Sequence, residues 1–158
     1  MEPQIRYART SEGANIAYST MGTGAPLIHM SIGLSHLQLE WQFPEMRRWY
    51  ERLARRATLV RYDNRGTGLS DRSVEALSLE ALSLEARVSE LEGVVDHLAI
   101  DRFALFGQMH GGPIAVRYAA EHPERVSHLI LWNTYARGSE WARPADRSQN
   151  SSPSASIL

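Results

Sequence analysis

Short apolar runs of β type alternate with helix-period segments along most of this chain, and that alternation admits few architectures. Ile5–Thr10 and Asn15–Thr20 are β-type runs separated by Ser11-Glu12-Gly13, a hairpin turn. A second turn, Gly22-Thr23-Gly24-Ala25-Pro26, leads into Leu27–Met30, an apolar run suited to a buried strand. Trp41–Arg56 carries Met46, Trp49, Tyr50 and Leu53 on one helical face. Ala57–Tyr62 returns to strand character, and Asp63–Asp71 is a polar, glycine-punctuated loop.

A long helix follows and ends near Leu98, with an apolar stripe through Leu84, Val88, Leu91, Val95 and Leu98. Ser83 is its expected N-cap, and Glu85 lies in the first turn, where the helix dipole favours a carboxylate. Just ahead, Leu77-Ser78-Leu79-Glu80-Ala81 recurs as Leu82-Ser83-Leu84-Glu85-Ala86. Five residues are not a whole number of helical turns, so this small duplication belongs at the edge of the helix. Arg102–Phe106 is a short strand, Gly111–Ala120 a helix stopped by His122-Pro123, and Val126–Trp132 a buried-type strand. The order β-β-β-α-β-α-β-α-β predicts an α/β fold in which an antiparallel N-terminal hairpin leads into a mostly parallel sheet. Helices flank that sheet and form right-handed crossovers. Residues 1–137 are expected to form the domain. Residues 138–158 are expected to be a disordered tail, because the stretch from Arg143 is rich in Ser, Pro, Ala and Asn and has no periodicity.

Composition narrows the function. Seventeen basic and eighteen acidic side chains leave a net charge of -1, with no basic stripe to grip a phosphate backbone, so nucleic acid is not an expected partner. The arginines at 47, 48, 52, 55 and 56 share their segment with Glu45 and Glu51 and describe a solvated helix face. With no cysteine there are no disulfides, thiolate metal sites or cysteine nucleophile. No apolar stretch approaches the ~20 residues that span a bilayer, and Met1–Thr10 has no signal-peptide run. The expectation is a cytoplasmic protein with no membrane partner and no cofactor.

Strand, glycine turn and helix meet at Phe106-Gly107-Gln108-Met109-His110-Gly111-Gly112-Pro113. Gly-x-x-x-Gly at such a junction resembles the nucleophile elbow of α/β-hydrolases, Gly-x-Ser-x-Gly, whose strained turn admits no bulky neighbours. Other segments carry the same resemblance. Asp63-x-Arg65-Gly66-x-Gly68-x-Ser70 is similar to the loop after the family's fourth strand, and His122-Pro123-Glu124-Arg125-Val126 to the entry into its sixth. His29-Met30-Ser31-Ile32-Gly33 stands where the family keeps its oxyanion-hole loop. The resemblance covers roughly Ile5 to Arg137, is nearest to hydrolase-like domains beside bacterial transcriptional regulators and nucleotide cyclases, and implies a truncated α/β-hydrolase fold.

Two departures from the family pattern bear on activity. Met109 occupies the nucleophile position, and a thioether has no proton to surrender to a general base. Loss of the serine from such a triad costs on the order of 10⁶ in turnover. The resemblance places oxyanion-hole donors on the backbone of Met30 or Ser31 and of His110, with Gly107, Gly111 and Gly112 as the elbow glycines. Second, the family's acid and histidine follow the nucleophile on later loops. Here the later histidine is His128, inside a predicted strand and expected on the core or the sheet face. Ser31 and His110 could form a displaced nucleophile–base pair, against a plain reading as a loop hydroxyl and a variable turn residue. His29 and His36 flank the same loop without a carboxylate at ligand spacing, so no metal is expected. Asp63 and Arg65 are expected to brace the glycine loop.

The sixth strand, if left uncovered, presents an apolar edge that would recruit a second copy into a homodimer or aggregate. Three functional readings remain open. One is a catalytically incomplete member that binds a small apolar ligand beside Met109. The second is a hydrolase of ester-like substrates that uses Ser31 or is completed by another chain. The third is a truncated gene fragment.

Overall fold

The computed structural model describes residues 2–30, 34–72 and 83–135. Ser31, most of the tandem repeat and the tail with its boundary at 137 lie outside the described residues.

The chain runs β1 (Arg6–Arg9), β2 (Asn15–Met21), β3 (Pro26–Met30), α1 (Leu37–Gln42), α2 (Pro44–Ala54), β4 (Thr58–Tyr62), α3 (Leu84–His97), β5 (Phe103–Gln108), α4 (Gly111–Glu121) and β6 (Val126–Trp132). The described strands form one sheet in the order β1-β2-β4-β3-β5-β6. β1 and β2 pair antiparallel, as do β2 and β4, whereas β4, β3, β5 and β6 are mutually parallel. This is the α/β sheet with an antiparallel opening that the sequence predicts.

Alternation along the central strands feeds two cores, one on each face. Ile28, Val60 and Leu105 point to the side covered by α3 and α4, where they meet Val88, Leu91, Val95, Ile114 and Tyr118. Leu27, Leu59 and Phe106 point to the other side, against Trp41, Tyr50 and Ala54 of α1 and α2. The predicted stripe of α3 is the stripe that packs, and Ser83 caps the helix by accepting from the Ala86 N–H at 3.2 Å.

The structure corrects two expectations. The single helix expected over Trp41–Arg56 is two helices, broken at Phe43, whose extended backbone (φ −80°, ψ 116°) precedes Pro44 at the first turn of α2. Proline disfavours helical backbone in the residue before it but suits a helix start, so the chain bends there. β6 is not buried. It pairs with β5 alone among the described residues, and His128 through Trp132 are exposed, although the Trp132 ring stacks on Phe106 at 6.3 Å between centroids.

Candidate functional site

The carboxyl end of β5 turns sharply into α4, and the turn is strained at one residue. Met109 has φ 47°, in the left-handed region that costs a side-chain-bearing residue roughly 1–2 kcal/mol. Close packing around it explains the glycines. A Cβ on Gly107 would lie 2.8 Å from the Ala115 Cβ and 2.9 Å from the Gly112 Cα. One on Gly111 would lie 2.8 Å from the Met30 carbonyl oxygen, and one on Gly112 would overlap Thr134. The Met109 carbonyl accepts from the Gly112 N–H at 3.1 Å and from the Thr134 hydroxyl. The Met109 N–H donates to the Trp132 carbonyl at 3.4 Å. Strand β6 and the residues after it therefore hold the turn from one side, and Met30 at the end of β3 abuts it from the other.

Of the residues singled out in the sequence, this end of the sheet gathers Met30, Gly107, Met109, His110, Gly111 and Gly112. Met30 is buried, Met109 is half-buried, and His110 is exposed at the N-cap of α4 with its ring edge-on to Tyr135 at 6.0 Å. Ser31, the remaining candidate, lies outside the described residues. His128 is elsewhere. It pairs with Ala104 along the β5–β6 ladder, on an exposed stretch, with Nδ1 3.3 Å from the Ser127 hydroxyl.

The glycine loop after β4 is tied down throughout. The buried Asp63 carboxylate accepts from the Leu37 N–H at 3.1 and 3.2 Å and from the Leu69 N–H at 2.9 Å. It thereby joins the start of α1 to the loop. Gly68 has φ +51°, and a Cβ there would overlap that carboxylate. Arg65 pairs with Glu12 at 2.8 Å and lies 3.7 Å from Glu90, which Arg87 also holds at 3.0 Å. Burial raises the Glu90 carboxyl above its usual range, against the pull of both arginines. Asp63 and Arg65 thus brace separate parts of the loop and do not face each other as a catalytic pair.

Sequence reasoning missed a polar cluster under the turn. His29 is buried among Trp49, Tyr50 and Phe106, with ring centroids 5.0, 5.9 and 5.2 Å away. Its Nε2 is 3.4 Å from the Oε1 of Gln108, the residue that leads into the turn. Burial first, then the nearby Arg61 charge, lower the imidazole to about 3, opposed by the Gln108 contact. His29 is therefore neutral near pH 7. Arg61 lies over the Tyr50 ring at 3.4 Å and pairs with Glu40, which also accepts from the Tyr50 hydroxyl at 2.5 Å. One signal was present: an arginine inside the apolar run Thr58–Tyr62 must find a partner once buried. Nothing in the sequence pointed to Glu40, because the pairing spans α1, α2 and β4. His36 caps α1, accepting from the Leu39 N–H at 3.4 Å.

With this geometry in place, comparison with known proteins supplies the class. Residues 35–154 match the model of the α/β hydrolase fold family, and the chain belongs to that family. Haloalkane dehalogenase 2 of Mycobacterium tuberculosis is 33% identical over 150 residues, which is 92% of this chain and 46% of that protein. A proline iminopeptidase of Lactobacillus helveticus is 39% identical over 61 residues, 38% of this chain and 21% of that one. Among solved structures, an epoxide hydrolase matches with a TM-score of 0.71 at 23% identity, over 85% of this chain and 44% of its own. A meta-cleavage product hydrolase from Pseudomonas fluorescens matches with a TM-score of 0.66 at 26% identity, over 84% of this chain and 46% of its own. The chain thus spans a little under half the length of the long relatives it matches. No helix among the described residues is long and apolar enough to cross a membrane.

Proposed function

We propose that this chain is a catalytically incomplete α/β-hydrolase-fold protein of the cytoplasm that binds a small apolar molecule at the turn between β5 and α4. The observation that carries the reading is Met109. It holds the strained, left-handed position between Gly107 and Gly111 where hydrolases of this fold carry their nucleophile, and it carries no ionisable proton. The turn keeps the form of a nucleophile elbow, and its thioether is a flexible, polarisable surface suited to an apolar ligand. Backbone N–H groups near Met30 and His110 would serve as oxyanion donors, but with no attacking atom they have no covalent intermediate to stabilise.

The test is hydrolysis of p-nitrophenyl acetate by the full chain, with Met109→Ser and Ser31→Ala variants run alongside. No turnover above background in the unaltered chain is expected, and no labelling by a fluorophosphonate probe. Turnover that disappears in Ser31→Ala would overturn the reading in favour of a displaced serine working with His110. The names of the relatives make hydrolysis the reaction class to assay.

A further inference from the structure

Strand β3 lies between β4 and β5, and His29 near its end has a polar side chain on each flank. On the β5 flank the imidazole Nε2 lies 3.4 Å from the Gln108 Oε1. On the β4 flank His29 is the register partner of Arg61, so both side chains leave the same face of the sheet. Both rest against Tyr50, the imidazole at 5.9 Å between centroids and the guanidinium at 3.4 Å from the ring centre. His29 and Arg61 are 1 and 3% exposed, out of reach of solvent and of any segment that packs on the outside of the domain. The imidazole is neutral, so it carries one ring proton, and its neighbours decide which nitrogen holds it. The Gln108 carbonyl oxygen only accepts. The Arg61 guanidinium only donates, and its charge disfavours an N–H on the ring nitrogen turned away from Gln108. That nitrogen, Nδ1, is buried and has no partner among the described residues, so a proton there would be a buried donor left unmade. The proton belongs on Nε2, and the Gln108 oxygen rather than its amide nitrogen faces the ring.

We infer that His29, in its Nε2–H tautomer, is a positioning residue for the Met109 turn and acts through Gln108. Gln108 is the last residue of β5 and adjoins Met109, where the backbone enters the left-handed region. Strain of that kind persists only where the surroundings over-determine it, and a tethered Gln108 side chain removes one freedom at its entrance. His29 also precedes Met30, whose carbonyl oxygen crowds Gly111 on the other side of the turn. One imidazole thereby secures the turn from β3 and from β5 together, while Arg61, itself paired with Glu40, sets where its proton resides. The inference rests on the proposed function in taking the Met109 turn as the site, but not on what the turn binds.

Two NMR readouts on the full chain test it. The first is the ¹⁵N spectrum of the His29 ring near neutral pH, assigned by its loss in His29→Gln. The expected result is a protonated Nε2 and a bare Nδ1. A protonated Nδ1, or the two tautomers in comparable amounts, would overturn the inference. The second follows the Met109 methyl signal in chain labelled with ¹³C-methyl methionine, assigned with Met109→Leu. His29→Phe keeps an aromatic ring without a donor, and Gln108→Leu removes the acceptor. Each should displace and broaden the Met109 signal, and His29→Gln, whose amide N–H can stand in for Nε2–H, should return it toward its native position. The double variant should move it no further than the larger single change, because the two residues act as one unit. Tyr62→Phe, a buried change on the opposite face of the sheet, should leave it in place. An unmoved signal in Gln108→Leu, additive displacements in the double variant, or no recovery in His29→Gln would each overturn the inference. Gln108 is half-buried, so Gln108→Leu carries the second readout should His29→Phe not fold. Neither readout uses an ester or an apolar ligand, so failure of the proposed function and failure of this inference are separate results.

Discussion

Two glycine-punctuated loops stand at the carboxyl ends of parallel strands in this protein, and they use their glycines for opposite purposes. After β4, Gly68 makes room for the Asp63 carboxylate, whose acceptor capacity serves backbone amides of α1 and of the loop itself. The Asp63 and Arg65 side chains there are both buried. After β5, Gly107, Gly111 and Gly112 clear space around Met109, which keeps an unfavourable φ and remains half-exposed. Strain of that kind persists only where surrounding structure enforces it, and it concentrates at binding and catalytic positions. The first loop is a brace, and the second is a mount that holds a thioether.

The contrast is broken most severely at the brace. Asp63→Ala leaves the buried Leu37 amide and the half-buried Leu69 amide without a charged acceptor, and the expected loss is about 4 kcal/mol from 1.5–3 per bond. That is a large share of a small domain's total of roughly 5–15 kcal/mol. Urea unfolding followed by circular dichroism reads it directly, and a loss below about 1 kcal/mol would show that Asp63 braces nothing.

Acid separates the two regions by sign. His29, under the Met109 turn, is lowered to about 3 from an ordinary 6.5, so below pH 6.5 the unfolded chain binds the proton more readily. Its contribution is complete above pH 6.5 and is lost as pH falls toward 3, at about 1.4 kcal/mol per unit. Glu90, beside the glycine loop, is raised, so the folded chain binds its proton first and stability is gained as pH falls through that raised value. Between pH 7 and 5 the native chain should lose about 2 kcal/mol more than a His29→Gln variant, from 1.5 units below the ordinary imidazole value. Equal losses in the two would mean that His29 is solvated.

The smallest effect is expected at the mount itself. Met109→Gly removes left-handed strain of roughly 1 kcal/mol but forfeits a half-buried side chain and adds flexibility to the unfolded chain. The unfolding midpoint should therefore stay within about 1 kcal/mol of the native value. A loss of several kcal/mol would make Met109 a core residue, and the comparison between brace and mount would fail.

Much of the fold was legible because periodicity acts locally. The stripe of α3, its Ser83 cap, the hairpin and the glycine turn before α4 each depend on residues a few positions apart. The bend at Phe43-Pro44 was equally local, and proline marked it, but the apolar spacing of Met46, Trp49 and Leu53 masked the break. The polar cluster was not legible. His29, Glu40, Arg61 and Gln108 come from four elements, and no spacing rule links them.

By itself, the sequence determined the class of fold and the thioether at its central turn, because patterning and the identity of residue 109 need no coordinates. Only the tertiary structure decided that Met109 carries left-handed strain and that Thr134 and Trp132 hold it there. Those properties arise from segments far apart in the chain meeting at one end of the sheet, and a residue's neighbours in sequence do not specify its neighbours in space.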